Sequence, residues 1–209
     1  MKKLLFSAII ALSAALSISY GLASTSNPYA LQNGDIVFQS GHRGQANAIK
    51  AATNSQWTHV GVVFKNEDQW WVFEAVQPVK YTKLENWIKR HPHSFHARRL
   101  KDSSQITPAN LVKAEIWAKQ QLDKPYDLKF LWDDEHLYCS ELVWKIYKHA
   151  TGIELCPPRH MGSYNLSDPT VAALIERRYG SIANLPKDAP VVAPSDLAES
   201  PLLTEVPKK

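Results

Sequence analysis

The sequence predicts an α+β domain, and three features carry that prediction. Two aromatic and β-branched runs, Thr58 to Phe64 and Trp70 to Val76, flank the polar Lys65-Asn66-Glu67-Asp68, the pattern of a β-hairpin. An amphipathic stretch from Tyr138 to Ala150 closes on Gly152, the residue expected just past a helix C-terminus. A second helical stretch opens with Thr107-Pro108, an N-cap followed by a proline at the first helical position.

Taken in order, the chain begins with Met1-Lys2-Lys3 and an apolar run from Leu4 to Ile18, followed by the small residues Gly21-Leu22-Ala23. This is the layout of a secretory signal peptide, with cleavage expected after Ala23. The run is shorter than the ~20 residues a membrane span needs, and no charged stop-transfer cluster follows it. A periplasmic or secreted envelope protein without a stable membrane span is therefore expected. Removing residues 1 to 23 takes away two lysines, so the formal charge falls from +4 to +2. That balance is too weak to imply nucleic acid, and no basic run with interleaved aromatics is present. The ~186 residues that remain suit one domain.

Gly34-Asp35-Ile36-Val37-Phe38-Gln39 reads as a turn and a strand, and Gln45 to Thr53 as a short alanine-rich helix. After the hairpin, Lys83 to Arg90 is a brief helix ended by His91-Pro92, and Ser94 to Leu100 a strand. The helix after Thr107 carries Leu111, Ala114, Ala118 and Leu122 down one side and ends at Lys124-Pro125-Tyr126-Asp127. Ser167-Asp168-Pro169 opens a last helix, to about Tyr179. Residues 24 to 182 are read as the domain. Residues 183 to 209, rich in Pro and Ala without a clear period, form an extended strap or a disordered tail.

The chemistry centres on the helix from Tyr138. Leu142, Val143, Ile146, Tyr147 and Ala150 form one stripe, and Cys139 belongs to the same inward face, with Ser140, Glu141, Trp144, Lys145 and Lys148 mostly opposite. Cys139 thus sits in the first helical turn, where unpaired N–H groups and the helix dipole favour a thiolate and an oxyanion alike. Asp133, Asp134 and Glu135, just upstream, are expected to face solvent. Cys156 is the second cysteine. Pairing it with Cys139 is awkward: the helix rises ~17 Å from Cys139 to Ala150. The six residues that follow reach at most ~20 Å, so the chain would have to run straight back.

A two-residue turn on Asn66-Glu67 pairs Lys65 with Asp68 and places His59 directly opposite Glu74. Such neighbours lie close enough for a carboxylate to bond an imidazole, fix its tautomer and favour imidazolium. An imidazolium held in this way would in turn stabilise a nearby thiolate, and Cys139 is available at its helix N-terminus. His91, His93 and His96 lack the spacing of common zinc motifs and read as a solvated turn. No P-loop, dinucleotide glycine motif or Gly-x-Ser-x-Gly elbow occurs, and no cofactor or metal is called for.

These residues carry a resemblance. Gly34 to Phe38, Thr58 to Val63 and Phe73-Glu74-Ala75 resemble strand motifs of NlpC-type cell-wall peptidases, papain-like enzymes whose cysteine precedes those strands. Here the cysteine follows them, in Tyr138-Cys139-Ser140-Glu141-Leu142-Val143-Trp144. That order resembles the circularly permuted branch, in particular its YiiX-type bacterial members, with Val79 to Thr82 and Lys124 to Asp127 also similar. The resemblance implies a permuted papain-like fold, with an antiparallel sheet packed on the cysteine-bearing helix and a Cys139-His59-Glu74 triad. The expected activity is peptidase or amidase action, with a cell-wall peptide as first substrate reading. A lipid ester or amide is the rival, compatible with Trp57, Trp70 and Trp71. A non-catalytic envelope module binding peptide or lipid, its Cys139 buried or bridged to Cys156, is the reading of a different class.

Overall fold

The computed structural model describes residues 27–209; the expected signal segment lies outside them. Its centre is a six-stranded sheet in the order β4-β3-β2-β1-β5-β8. The strands are β1 Ile36–Gln39, β2 His59–Asn66, β3 Gln69–Glu74, β4 Lys80–Lys83, β5 His96–Leu100 and β8 Leu203–Glu205, with every neighbouring pair antiparallel. The helices are α1 Gln45–Thr53, α2 Leu84–Arg90, α3 Pro108–Gln120, α4 Cys139–Thr151, α5 Pro169–Tyr179 and α6 Pro194–Ala198. β6 Arg159–His160 and β7 Pro190–Val191 form a small separate ribbon.

Strand alternation divides the core in two. Ile36, Phe38, Val60, Val62 and Phe73 point to one face and pack with Cys139, Leu142, Val143 and Ile146 of α4. Val37, Val63, Val72 and Ala97 point to the other and pack with Leu84, Trp87 and Ile88 of α2. A third cluster joins Ala48 of α1, Val171, Leu174 and Ile175 of α5, Tyr138 and Met161.

The expected caps are present: the Thr107 side chain accepts from Asn110 N at 3.1 Å, and Gly152 closes α4 with φ +78°. Three expectations are corrected. The hairpin pairs Asn66 with Gln69 and Lys65 with Trp70, so the turn is Glu67-Asp68, with Glu67 at φ +52°. The helix after Thr107 stops at Gln120, which leaves Leu122 outside it and exposed. Most consequentially, α4 has no polar outer face over its first two turns. Ser140, Glu141, Trp144 and Lys145 are all buried, because the sheet covers one side and α3, α6 and the chain around residues 127–137 cover the rest.

Residues 183 to 209, where the sequence left strap and disordered tail open, run across the molecule as β7, α6 and β8. β8 pairs with β5 as an edge strand that sequence patterning did not assign. Val192, Leu197 and Leu203 are buried in the same core as α4, so a division at residue 182 does not separate two cores. The end of this strap meets the first described residues: Lys209 N donates to Pro28 O at 2.8 Å and Ala30 N to Pro207 O at 2.9 Å.

Leu203 is 1% exposed, so Leu203→Ala is expected to lower the unfolding free energy by about 2–5 kcal/mol. Urea denaturation measures this, and a change near zero would mean that the strap contributes nothing to the core.

Candidate active site

The three residues singled out by the sequence come together at one end of the sheet. Cys139 opens α4, and Leu142 N donates to Tyr138 O at 3.0 Å as the first bond of the helical ladder. The N–H groups of Cys139, Ser140 and Glu141 therefore lie ahead of that ladder. Tyr138 N is satisfied separately by the Glu141 carboxylate, at 3.3 Å.

His59 begins β2 and forms the last pair of the β1–β2 ladder, with Gln39. By alternation His59 shares the α2 face with Val63, whereas Cys139 belongs to the α4 face. Only a residue at the very end of a strand lets its ring meet groups from both layers. Nε2 donates to Glu74 Oε2 at 2.5 Å, which leaves Nδ1 as the nitrogen for the Cys139 thiol. Burial would push the His59 pKa down, but hydrogen bonding and charge from Cys139 and Glu74 outweigh it and raise the value to about 9.

Glu74 ends β3 and is fully buried. The register differs from expectation by two residues, not one, so parity is kept. Glu74 becomes a diagonal neighbour of His59 instead of its direct opposite, still within reach for long side chains. One step beyond the Val62–Phe73 pair, Gly61 faces Glu74 across the ladder. A Cβ on Gly61 would come within 2.5 Å of Val72 Cγ1 and 2.9 Å of the Phe73 carbonyl, so that crossing is open only to glycine.

Three further donors reach the Glu74 carboxylate. Thr82 Oγ1 donates at 2.6 Å, Trp87 Nε1 at 3.0 Å, and one Arg90 guanidinium nitrogen at 2.6 and 2.8 Å to the two oxygens. Burial raises the Glu74 pKa, yet His59 and Arg90 together hold it down at about 2. Sequence reasoning missed these partners, although Trp87 and Arg90 stand at i, i+3 on one short helix, the spacing that puts two side chains on one face.

Cys139 and Cys156 are both free thiols and both buried. Burial pushes the Cys156 thiol up to about 12. Asp134 and Glu135 are exposed as expected, and Asp134 is also tied down. Lys145, nearly buried, reaches Asp134 Oδ1 at 2.8 Å, Asp133 O at 2.7 Å and Glu141 Oε1 at 2.7 Å. It thereby fastens the chain before Cys139 to α4.

Cys139 reaches open space through a pocket of about 120 Å³ between α1, α5 and the strap. Ala48, Phe130, Met161, Val171 and Leu174 are among the side chains that make its wall almost wholly apolar. Trp57, Trp70 and Trp71, compatible in the sequence with a lipid substrate, do not line it.

A family model described as permuted papain-like amidase enzyme, YaeF/YiiX, C92 family, matches residues 30–207. The uncharacterized protein YiiX of Escherichia coli strain K12 is 37% identical over 179 residues, covering 85% of this chain and 87% of YiiX. A crystal structure of yiiX from Escherichia coli O157:H7, described as a metalloprotein, superposes with a TM-score of 0.78 at 38% identity. It covers 85% of this chain and 97% of that one.

The His59–Glu74 pair makes stability depend on pH in a defined window. The His59 pKa is raised above its ordinary 6.5, so its contribution is whole below that value and lost as pH rises through about 9. The Glu74 pKa is depressed from 4.5, so its contribution is whole above 4.5 and lost as pH falls through about 2. Urea denaturation across pH should show greatest stability between about 4.5 and 6.5, and Glu74→Gln should remove the acid flank and make the alkaline one, to which Cys139 also contributes, shallower. Unaltered flanks in Glu74→Gln would mean that other groups set the profile.

Proposed function

This chain belongs to the permuted papain-like amidase family, YaeF/YiiX, C92, and on that premise we propose that it is an envelope amidase working through Cys139, His59 and Glu74. The observation that carries the roles is the position of the His59 ring, bonded to the buried Glu74 on one side and facing the thiol at a helix N-terminus on the other.

In this reading the Cys139 thiolate attacks the acyl carbon. A sulfur–carbon bond forms, and the carbonyl electrons move onto oxygen, which the first-turn N–H groups receive. His59, protonated across the neutral range, gives its proton to the leaving nitrogen as the carbon–nitrogen bond breaks. Neutral His59 then takes a proton from water, whose oxygen attacks the thioester. Cys139 departs as thiolate, and the ion pair is restored. Glu74 bonds the imidazolium throughout, and Arg90, Trp87 and Thr82 keep that carboxylate ionised and oriented.

The solved relative is described as a metalloprotein. Among the described residues of this chain no three His, Cys, Asp or Glu side chains converge in a way that could hold a metal ion, so no step is routed through one.

Two substrates followed from the sequence, a cell-wall peptide amide and a lipid ester or amide. The largely apolar wall beside Cys139 favours the second, because most of a polar stem peptide would lose hydration against it. Secretion into the envelope is part of the proposal and rests on the N-terminal sequence pattern.

The test is turnover of an acyl p-nitroanilide series, from acetyl to octanoyl, beside a muropeptide digest. Longer acyl groups should be cleaved faster and the digest left intact. His59→Ala should lose about 10²–10⁴-fold in kcat/KM, Glu74→Gln less than that, and Cys139→Ala should be inactive. Cleavage of muropeptides but not acyl anilides restores the peptide reading, and turnover by Cys139→Ala removes the mechanism.

A further inference from the structure

The wall of the pocket beside Cys139 contains one group that the hydrolytic steps do not use. Arg178, in the last turn of α5, lines that pocket together with Lys129, and no Asp or Glu is among the lining residues. Its NH2 donates to Gln45 Oε1, and Gln45 Nε2 in turn donates to the Tyr126 hydroxyl at 2.8 Å. Its NH1 is buried and has no hydrogen-bond partner among the described residues. Arg178 forms no ion pair within the described residues.

A half-buried guanidinium against apolar walls, with a donor unmet and no ion-pair partner among the described residues, is unfavourable for the free protein. Two local effects offset part of this, and neither explains the placement. The Phe130 ring lies under the guanidinium at 5.0 Å, which stabilises the charge but accepts no N–H bond in its plane. The helix C-terminus favours a cation, yet the adjacent Arg177 is exposed in the same turn and serves that end equally well. What a planar fork of donors lacks here is a carboxylate or phosphate.

We propose that Arg178 is a specificity-determining residue that pairs with an anionic group on the substrate, so that the pocket takes an amphiphilic anion: an apolar body with one carboxylate or phosphate. This rests on the reading that the pocket beside Cys139 receives part of the substrate. The body fills the space walled by α1 and α5, and the anion completes the unmet NH1 bond. Gln45 keeps the guanidinium in place and links its position to Tyr126 on the opposite wall. An uncharged amide of the same length leaves that charge unpaired and binds more weakly.

The test reads binding, not turnover, and uses full-length Cys139→Ala protein titrated with octanoate, octyl phosphate and octanol, followed by tryptophan fluorescence and calorimetry. At least one anion should bind ten-fold or more tightly than octanol. That preference should vanish in the Arg178→Gln background, with octanol binding within two-fold, and survive in Arg178→Lys and Lys129→Gln. Whether octanoate or octyl phosphate binds more tightly distinguishes a carboxylate source from a phospholipid-like one. Equal binding of octanol and both anions, no binding of any probe, or an anion preference that persists in Arg178→Gln overturns the proposal. Should Arg178→Gln unfold, Arg178→Lys decides: loss of all anion preference with the charge retained and the fold intact also counts against it. Because no turnover is read, a failed amidase assay and a failed anion preference are separate results.

Discussion

The site depends on a buried carboxylate that is completely surrounded by donors. Glu74 has no solvent exposure, and its two oxygens accept from His59, Thr82, Trp87 and Arg90. An ionised carboxylate in the interior is tolerable only with such a set of partners. The four partners come from three elements: the start of β2, β4, and two positions on α2. The carboxylate therefore ties the hairpin, the strand beside it and the helix behind it to the orientation of one imidazole ring. Loss of any one donor loosens a packed junction as well as the contact to His59.

The layer geometry gives this junction its direction. Cys139, the proposed nucleophile, arrives from the α4 side of the sheet and the Glu74 cluster sits on the α2 side, so the end of β2 is where the two meet. α4 is buried on nearly all sides over its first two turns, which fixes Cys139 from behind. The Lys145 bonds to Asp133, Asp134 and Glu141 fix the chain that leads into it. What remains adaptable is the apolar space in front of the thiol.

Much of this was legible in residue order. Helix caps at Thr107 and Gly152, hairpin alternation and the cysteine in a first helical turn are local signals, and local physics decides them. Glu74 was found opposite His59 through a register that was wrong by two residues. It survived because strand faces repeat every two residues, so an even error moves a side chain along its face without turning it over. The missing parts are those that only tertiary contact creates. β8 has three residues and no alternation to read, and it is a strand because β5 offers it an edge. Glu141 and Lys145 look like a solvated helix pair until α3, α6 and the strap cover them. Arg178 reads as one of two tail-end cations of α5, and its unmet donor exists only once Phe130 and Gln45 close around it.

The hydrogen bonds between residues 28–30 and 207–209 bear on why Cys139 can follow His59 in the chain at all. With those two segments side by side, the described fold is in effect a ring, and its contacts do not record where the ring is opened. Moving the opening to another surface loop changes which catalytic residue is translated first and leaves the packing of α4 on the sheet untouched. Chain order in this fold is thus a free variable, separated by geometry from the arrangement that does the chemistry.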